Sequence, residues 1–200
     1  MRRSHGVDPA RIFITGLSAG GAMTAVMLAT YPEVFAGGGI IAGLPFGAAS
    51  DVRHVMAAMK KPRASTPQEW GDLVRSASAH TGRRPTVSIW HGTHDGTVAV
   101  ANADALLSQW TNVHGLPEAT FAQTVVAGHC RRTWLNKKGE VVVELTLIEG
   151  MGHGTPVRRT KAQASAGDAG PFMLDVGLSS SLHLARSWDL VSRRASSNRR

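Results

Sequence analysis

Apolar residues along this chain fall into short runs, separated by joints rich in glycine, proline and charge. RIFIT, residues 11–15, carries no charge after Arg11 and reads as a buried strand. GAMTAVMLATY follows with helix-forming composition and apolar residues nearly all round, which predicts a buried helix. Tyr31-Pro32 ends it, because a residue before proline is pushed out of the α region. FAGGGIIAG, residues 35–43, reads as a second buried strand whose glycines predict close backbone approach by a neighbour. TVSIWHG, residues 86–92, is a third, and residues 99–113 form an amphipathic helix. ATFAQTVVAG, RRTWL and EVVVELTLIEG read as further strands, the last two joined by the turn NKKG. A loop containing Gly, Ser and Ala comes after MGHGTP, and LDVGLSSSLHLARSWDLV ends in a helix.

Residues 44–84 break this rhythm with small, polar and basic residues. Two helical pieces stand out there. DVRHVMAAMK is one, and the other opens at Thr66-Pro67-Gln68-Glu69, a capping box with proline in the first helical position. The stretch reads as a helical insertion over the end of the sheet. Strands alternating with helices predict an α/β fold with a mostly parallel sheet and helices on both faces. In such sheets functional groups gather at the carboxyl ends of the strands. Ser18, Asp95 and His153 fall there, each in a glycine-containing loop after an apolar run.

Charge alters this picture little. The formal net charge is +8, but Arg2, Arg3, Arg193, Arg194, Arg199 and Arg200 sit in the two ends and leave +2 for the body. The tail at 192–200 reads as a solvated basic end, and no nucleic-acid-binding module is visible. No apolar run is long enough to cross a bilayer, and the N-terminus lacks the apolar core of a signal peptide. Cys130, the single cysteine, has no internal disulfide partner and no zinc-spaced companions, and reads as an inert residue in or near a strand.

Gly16-Leu17-Ser18-Ala19-Gly20 matches G-x-S-x-G between a strand and a helix. That context predicts a sharp, strained turn that exposes the serine oxygen, with the flanking glycines letting strand and helix pass closely. It also aims the Ala19 N–H, at the helix N-terminus, toward a developing oxyanion. A serine hydroxyl needs a base, and His153 in EGMGHGTP is placed to serve; His129 and His183 are the rivals. The imidazole in turn needs a carboxylate, for which Asp95 in WHGTHDGTV is the candidate, with Asp104 the rival and a plain Asp-Gly turn the alternative reading. The chain order serine, aspartate, histidine is that of α/β-hydrolases. His91, His94 and Asp95 lack a fourth ligand at metal spacing, so neither a metal nor a cofactor is implied. Trp70, Trp90 and Trp134 could line a substrate groove, but such residues are more often core or partly buried packing residues.

Taken together, ITGLSAGGAMTAVMLATYPEVFAGGGIIAGLPFGAA, WHGTHDGTV, EGMGHGTP and GPFMLDVGLSSS resemble the esterase family that contains the polyhydroxybutyrate (PHB) depolymerases, with its related feruloyl and acetylxylan esterases. The resemblance runs from about residue 7 to about residue 191. It implies an α/β-hydrolase domain over 1–191 and an extracellular serine esterase acting on short-chain hydroxyacid esters or polyesters. Within it Ser18 is the nucleophile, Asp95 the acid and His153 the base, with ester or polyester substrate as partner and neither nucleic acid nor membrane. A serine peptidase of the same fold and a truncated, non-catalytic remnant are the alternatives. In the family, several strands and a His-Gly loop supplying a second oxyanion N–H precede the nucleophile strand. Only ten residues precede Arg11 here, so the expectation is a C-terminal part of a longer enzyme, a partial fold.

Overall fold

A computed structural model describes residues 5–159 and 170–191. The terminal arginines, the tail and most of the loop after MGHGTP lie outside the described residues. The main sheet has the strand order β1-β2-β3-β6-β5-β4. Strands β1 (Phe13–Leu17), β2 (Gly37–Ile41), β3 (Thr86–Gly92) and β6 (Val141–Ile148) run parallel. β4 (Ala122–Val126) and β5 (His129–Leu135) add an antiparallel flank through the hairpin into β6. The predicted turn at NKKG closes that hairpin, with Asn136 donating to the Glu140 carbonyl at 2.9 Å. A small parallel pair, β7 (Thr155–Val157) with β8 (Met173–Asp175), stands apart from it.

Helices α1 (Ala19–Thr30) and α4 (Ala101–Val113) pack on one face of the sheet, and α3 (Pro67–Ser76) packs against α4; Leu28, Val74, Leu106 and Trp110 share one core there with Ile40, Val87, Ile89 and Leu145. Helix α5 (Ser180–Ser187) covers the other face. The glycines of β2 explain how both layers come close. A β-carbon on Gly38 would meet Leu28 of α1 at 2.7 Å, and one on Gly39 would meet Leu184 of α5 at 2.5 Å. Successive strand residues face opposite sides, so the pair admits one helix on each. At these two glycines the closest neighbours are helix side chains, not the backbone that the sequence pattern predicts.

Helix α3 begins with the predicted capping box: Glu69 N–H donates to Thr66 Oγ1 at 3.2 Å, and Thr66 N–H donates to Glu69 Oε2 at 2.7 Å. Helix α2 (Val52–Lys60) ends against the loop after β3. The Met59 carbonyl accepts from Ala99 N–H at 2.8 Å, and Asn102 Nδ2 reaches the carbonyls of Ala58 and Met59 at 3.1 and 3.2 Å. The 44–84 region therefore braces the loop that carries Asp95.

Two further expectations need correction. β1 is a half-buried edge strand, paired with β2 alone among the described residues. Helix α1 is not buried all round: Met23 and Val26 are exposed, because nothing described packs on that side. Trp70, Trp90 and Trp134, by contrast, are core residues, 2%, 0% and 1% exposed, in keeping with the packing role favoured from sequence.

Candidate active site

Ser18 is the single residue between β1 and α1, and its backbone is at φ 57°, ψ −117°, a left-handed state costly for any residue with a side chain. Two hydrogen bonds hold it there. Its N–H donates to the Ile41 carbonyl at 2.9 Å, and its carbonyl accepts from Ala22 N–H at 2.9 Å. The turn needs glycine at position 16, where a β-carbon would land on the Gly20 carbonyl. The reverse does not hold, since a β-carbon on Gly20 would stand in open space. The serine side chain makes no capping bond to its helix. Ala19 opens α1, so its N–H is one of the orphan donors at the positive end of the helix.

Asp95 divides its oxygens. Oδ1 accepts from the N–H groups of Thr97 and Val98, both at 2.8 Å, which is the turn role of an aspartate. Oδ2 meets His153 Nδ1 at 2.7 Å, with the aspartate side chain fully buried and the histidine side chain 10% exposed. A carboxylate only accepts, so the bond puts the proton on Nδ1 and leaves Nε2 with its lone pair free. The two loops are tied to each other as well. Thr93 N–H donates to the Ile148 carbonyl, His94 N–H to the Met151 carbonyl, and Gly150 N–H to Thr93 Oγ1 at 2.9 Å.

The structure thus joins Asp95 to His153 and places Ser18 at the same carboxyl edge of the sheet, two strands from β3. Among the described residues no hydrogen bond links Ser18 to His153. The rivals are engaged elsewhere. His129, the first residue of β5, binds the Val176 carbonyl at 3.1 Å. His183 lies over the sheet face, 3.3 Å from Glu144 and edge-on to Trp90. Asp104 remains in α4. Among the described residues no three His, Cys, Asp or Glu side chains group to hold a metal ion. A cavity of about 470 Å³ opens at the opposite end, beside Phe13, Thr86 and Val141 at the starts of three strands, and none of Ser18, Asp95 or His153 lines it.

The parts played by two groups are not evident from the sequence. His91, fully buried at the end of β3, donates from Nε2 to the Val98 carbonyl at 2.9 Å and lies 3.5 Å from Asp95 Oδ2. Burial pushes its pKa down, outweighing the Val98 bond and the nearby Asp95 charge, so it stands as a neutral neighbour. Glu144 is the other. Buried in β6, it accepts from Ser88 Oγ, from Arg131 Nε at 2.8 Å and from His183. Burial alone would raise its pKa, but His183, Arg131 and Ser88 together hold it at about 2. A lone carboxylate in the run VVVELTLI was the available signal, since a buried charge requires partners.

This arrangement of sheet, elbow and loops defines an α/β fold of the hydrolase type. Comparison with known proteins narrows the class. Residues 2–134 match the family model described as Esterase PHB depolymerase. Poly(3-hydroxyalkanoate) depolymerase C of Paucimonas lemoignei is 40% identical over 192 residues, 96% of this chain and 46% of that protein. The acetylxylan esterase of Coprinopsis cinerea is 37% identical over 167 residues, 79% of this chain and 43% of its own. The chain belongs to the PHB depolymerase esterase family, and it spans less than half the length of either relative. Among solved structures, an acetyl xylan esterase from Aspergillus awamori superposes with a TM-score of 0.68 at 26% identity, over 76% of this chain and 57% of that one. PHB depolymerase from Penicillium funiculosum gives 0.63 at 20% identity over 97% and 55%, a likeness of fold.

Proposed function

We propose that this chain hydrolyses carboxylic esters through an acyl-enzyme, with Ser18 as nucleophile. The observation that carries this reading is the 2.7 Å bond from His153 Nδ1 to buried Asp95, which leaves Nε2 free to accept a proton at the edge where the strained Ser18 stands. Ser18 Oγ attacks the ester carbonyl while His153 Nε2 takes its proton. The Ala19 N–H, reinforced by the helix N-terminus, stabilises the negative oxygen of the tetrahedral intermediate. His153 then hands the proton to the leaving alcohol, and water repeats both steps to release the acid. Asp95 holds the imidazole in the productive tautomer throughout.

The substrate in this proposal is a short-chain hydroxyacid ester or polyester. Support comes from the family match and from a relative described as a poly(3-hydroxyalkanoate) depolymerase. The catalytic unit runs through residue 191, and an extracellular site of action belongs to the same proposal. Fractionating cells and medium of the source culture tests the latter. No described helix is long and apolar enough to cross a membrane. For the chemistry, hydrolysis of p-nitrophenyl butyrate by the wild-type chain and by Ser18→Ala is compared. A loss of at least about a thousandfold is expected on removing the nucleophile. Equal rates contradict the assignment.

A further inference from the structure

Phe172 holds a backbone state that its side chain disfavours. It follows Pro171 in a turn where Met173 N–H donates to the Gly170 carbonyl at 2.9 Å and Gly170 N–H to the Met173 carbonyl at 3.1 Å. Its φ is +63°. Proline fixes a negative φ at position 171, so the turn is type II, whose third position belongs by preference to glycine or asparagine. An aromatic residue there is an outlier, and such outliers gather at functional sites. Burial does not offset the cost, because Phe172 is 58% exposed. Its carbonyl accepts from Thr155 N–H at 2.7 Å, two residues after His153, which fixes the turn against the histidine loop. The ring then stands edge-on to the His153 imidazole, centroids 6.1 Å apart at 78°.

We propose that Phe172 is a specificity-determining residue whose ring forms the apolar wall for the alcohol half of the ester. The inference rests on the reading of His153 as the base. In that chemistry the imidazole delivers its proton to the leaving oxygen, so the alcohol half stands at the imidazole while the acyl half stays on Ser18. A ring held against that imidazole faces the alcohol half and offers it apolar area. For a polyester of hydroxyacids, the alcohol half is the next unit of the polymer, so the same wall would seat the leaving end of the chain.

The test measures equilibrium binding in a Ser18→Ala background, where turnover does not intrude. One series holds the acyl group at acetate and enlarges the alcohol from methyl to butyl to benzyl. A second holds methanol and lengthens the acyl chain. Affinity is expected to rise along the alcohol series. Adding Phe172→Gly weakens benzyl acetate by about three- to tenfold, leaves the acyl series unchanged, and does not lower the thermal midpoint, since glycine accepts a positive φ. Phe172→Tyr keeps the wild-type slope. An alcohol series with no slope in Ser18→Ala, or with the same slope in the absence of the ring, overturns the proposal. So does an equal weakening of both series together with a lower thermal midpoint, which would mark the ring as packing. Failure of the esterase reading appears separately, as wild-type hydrolysis of benzyl acetate no faster than that of Ser18→Ala.

Discussion

Asp95 serves the turn with one oxygen and His153 with the other, so substitutions there can separate folding from chemistry. Asp95→Asn keeps a carbonyl oxygen for the Thr97 and Val98 N–H groups and presents its amide NH2 to His153. His153 Nδ1 must then accept, which moves the ring proton to Nε2 and removes the base. The expected result is a fall in kcat of about four orders of magnitude with the thermal midpoint nearly unchanged. Asp95→Ala loses both roles and should cost in addition about 1–2 kcal/mol of stability, measured by denaturant unfolding. A large stability loss in Asp95→Asn would show that the turn depends on the charge. The placement of Ser18, Asp95 and His153 at the carboxyl ends of strands was legible in the sequence, because each follows an apolar run and sits among glycines. Glu144 was not, because its partners Ser88, Arg131 and His183 lie 56, 13 and 39 residues away and meet it only when sheet and helix assemble.

Among the elements, strand β3 covers the same residues 86–92 that the pattern predicts, since it is a charge-free run closed by glycine. The start of α3 was equally clear, because its capping box is local chemistry. Thr66→Ala should cost about 1 kcal/mol in denaturant unfolding, with ester turnover little changed, and no loss would mean that tertiary contacts alone hold that helix end. The pair β7 and β8 could not be read. Each has three residues, too few for a period, and one contains Pro156. Their pairing also spans residues 160–169, which lie outside the described residues. These short strands nevertheless connect the site to α5, since Ser180 Oγ donates to the Pro156 carbonyl at 3.2 Å and His129 binds Val176 beyond β8. Helix α5 is in turn held to the sheet by His183 and Glu144.

Across the whole molecule, the parallel order β1-β2-β3-β6 follows the predicted alternation of strand and helix. The position of β6 beside β3, with the hairpin strands outside it, is a long-range choice that periodicity cannot express. Protonation acts at this scale too. Burial pushes His114 down to about 4 and lowers His91 as well. Both bind a proton more readily when unfolded, so stability falls as pH drops below the ordinary histidine value of 6.5 toward 4. Glu144 adds to this further down. Its contribution is complete above 4.5 and lost as pH falls to about 2, roughly 3 kcal/mol in all. Asp104, raised by burial, works in the opposite direction. Denaturant midpoints should therefore decline steadily from pH 7 to 3, and Glu144→Gln should flatten the lower part. A midpoint constant between pH 7 and 4 would contradict the buried neutral histidines.

Covalent labelling of the intact chain with a fluorophosphonate tests most directly whether Ser18 is an assembled nucleophile. Peptide mapping should find the adduct on Ser18, formed rapidly at neutral pH and suppressed in His153→Ala. Labelling of the wild-type chain no faster than that of Ser18→Ala, or an adduct on another residue, would contradict the account.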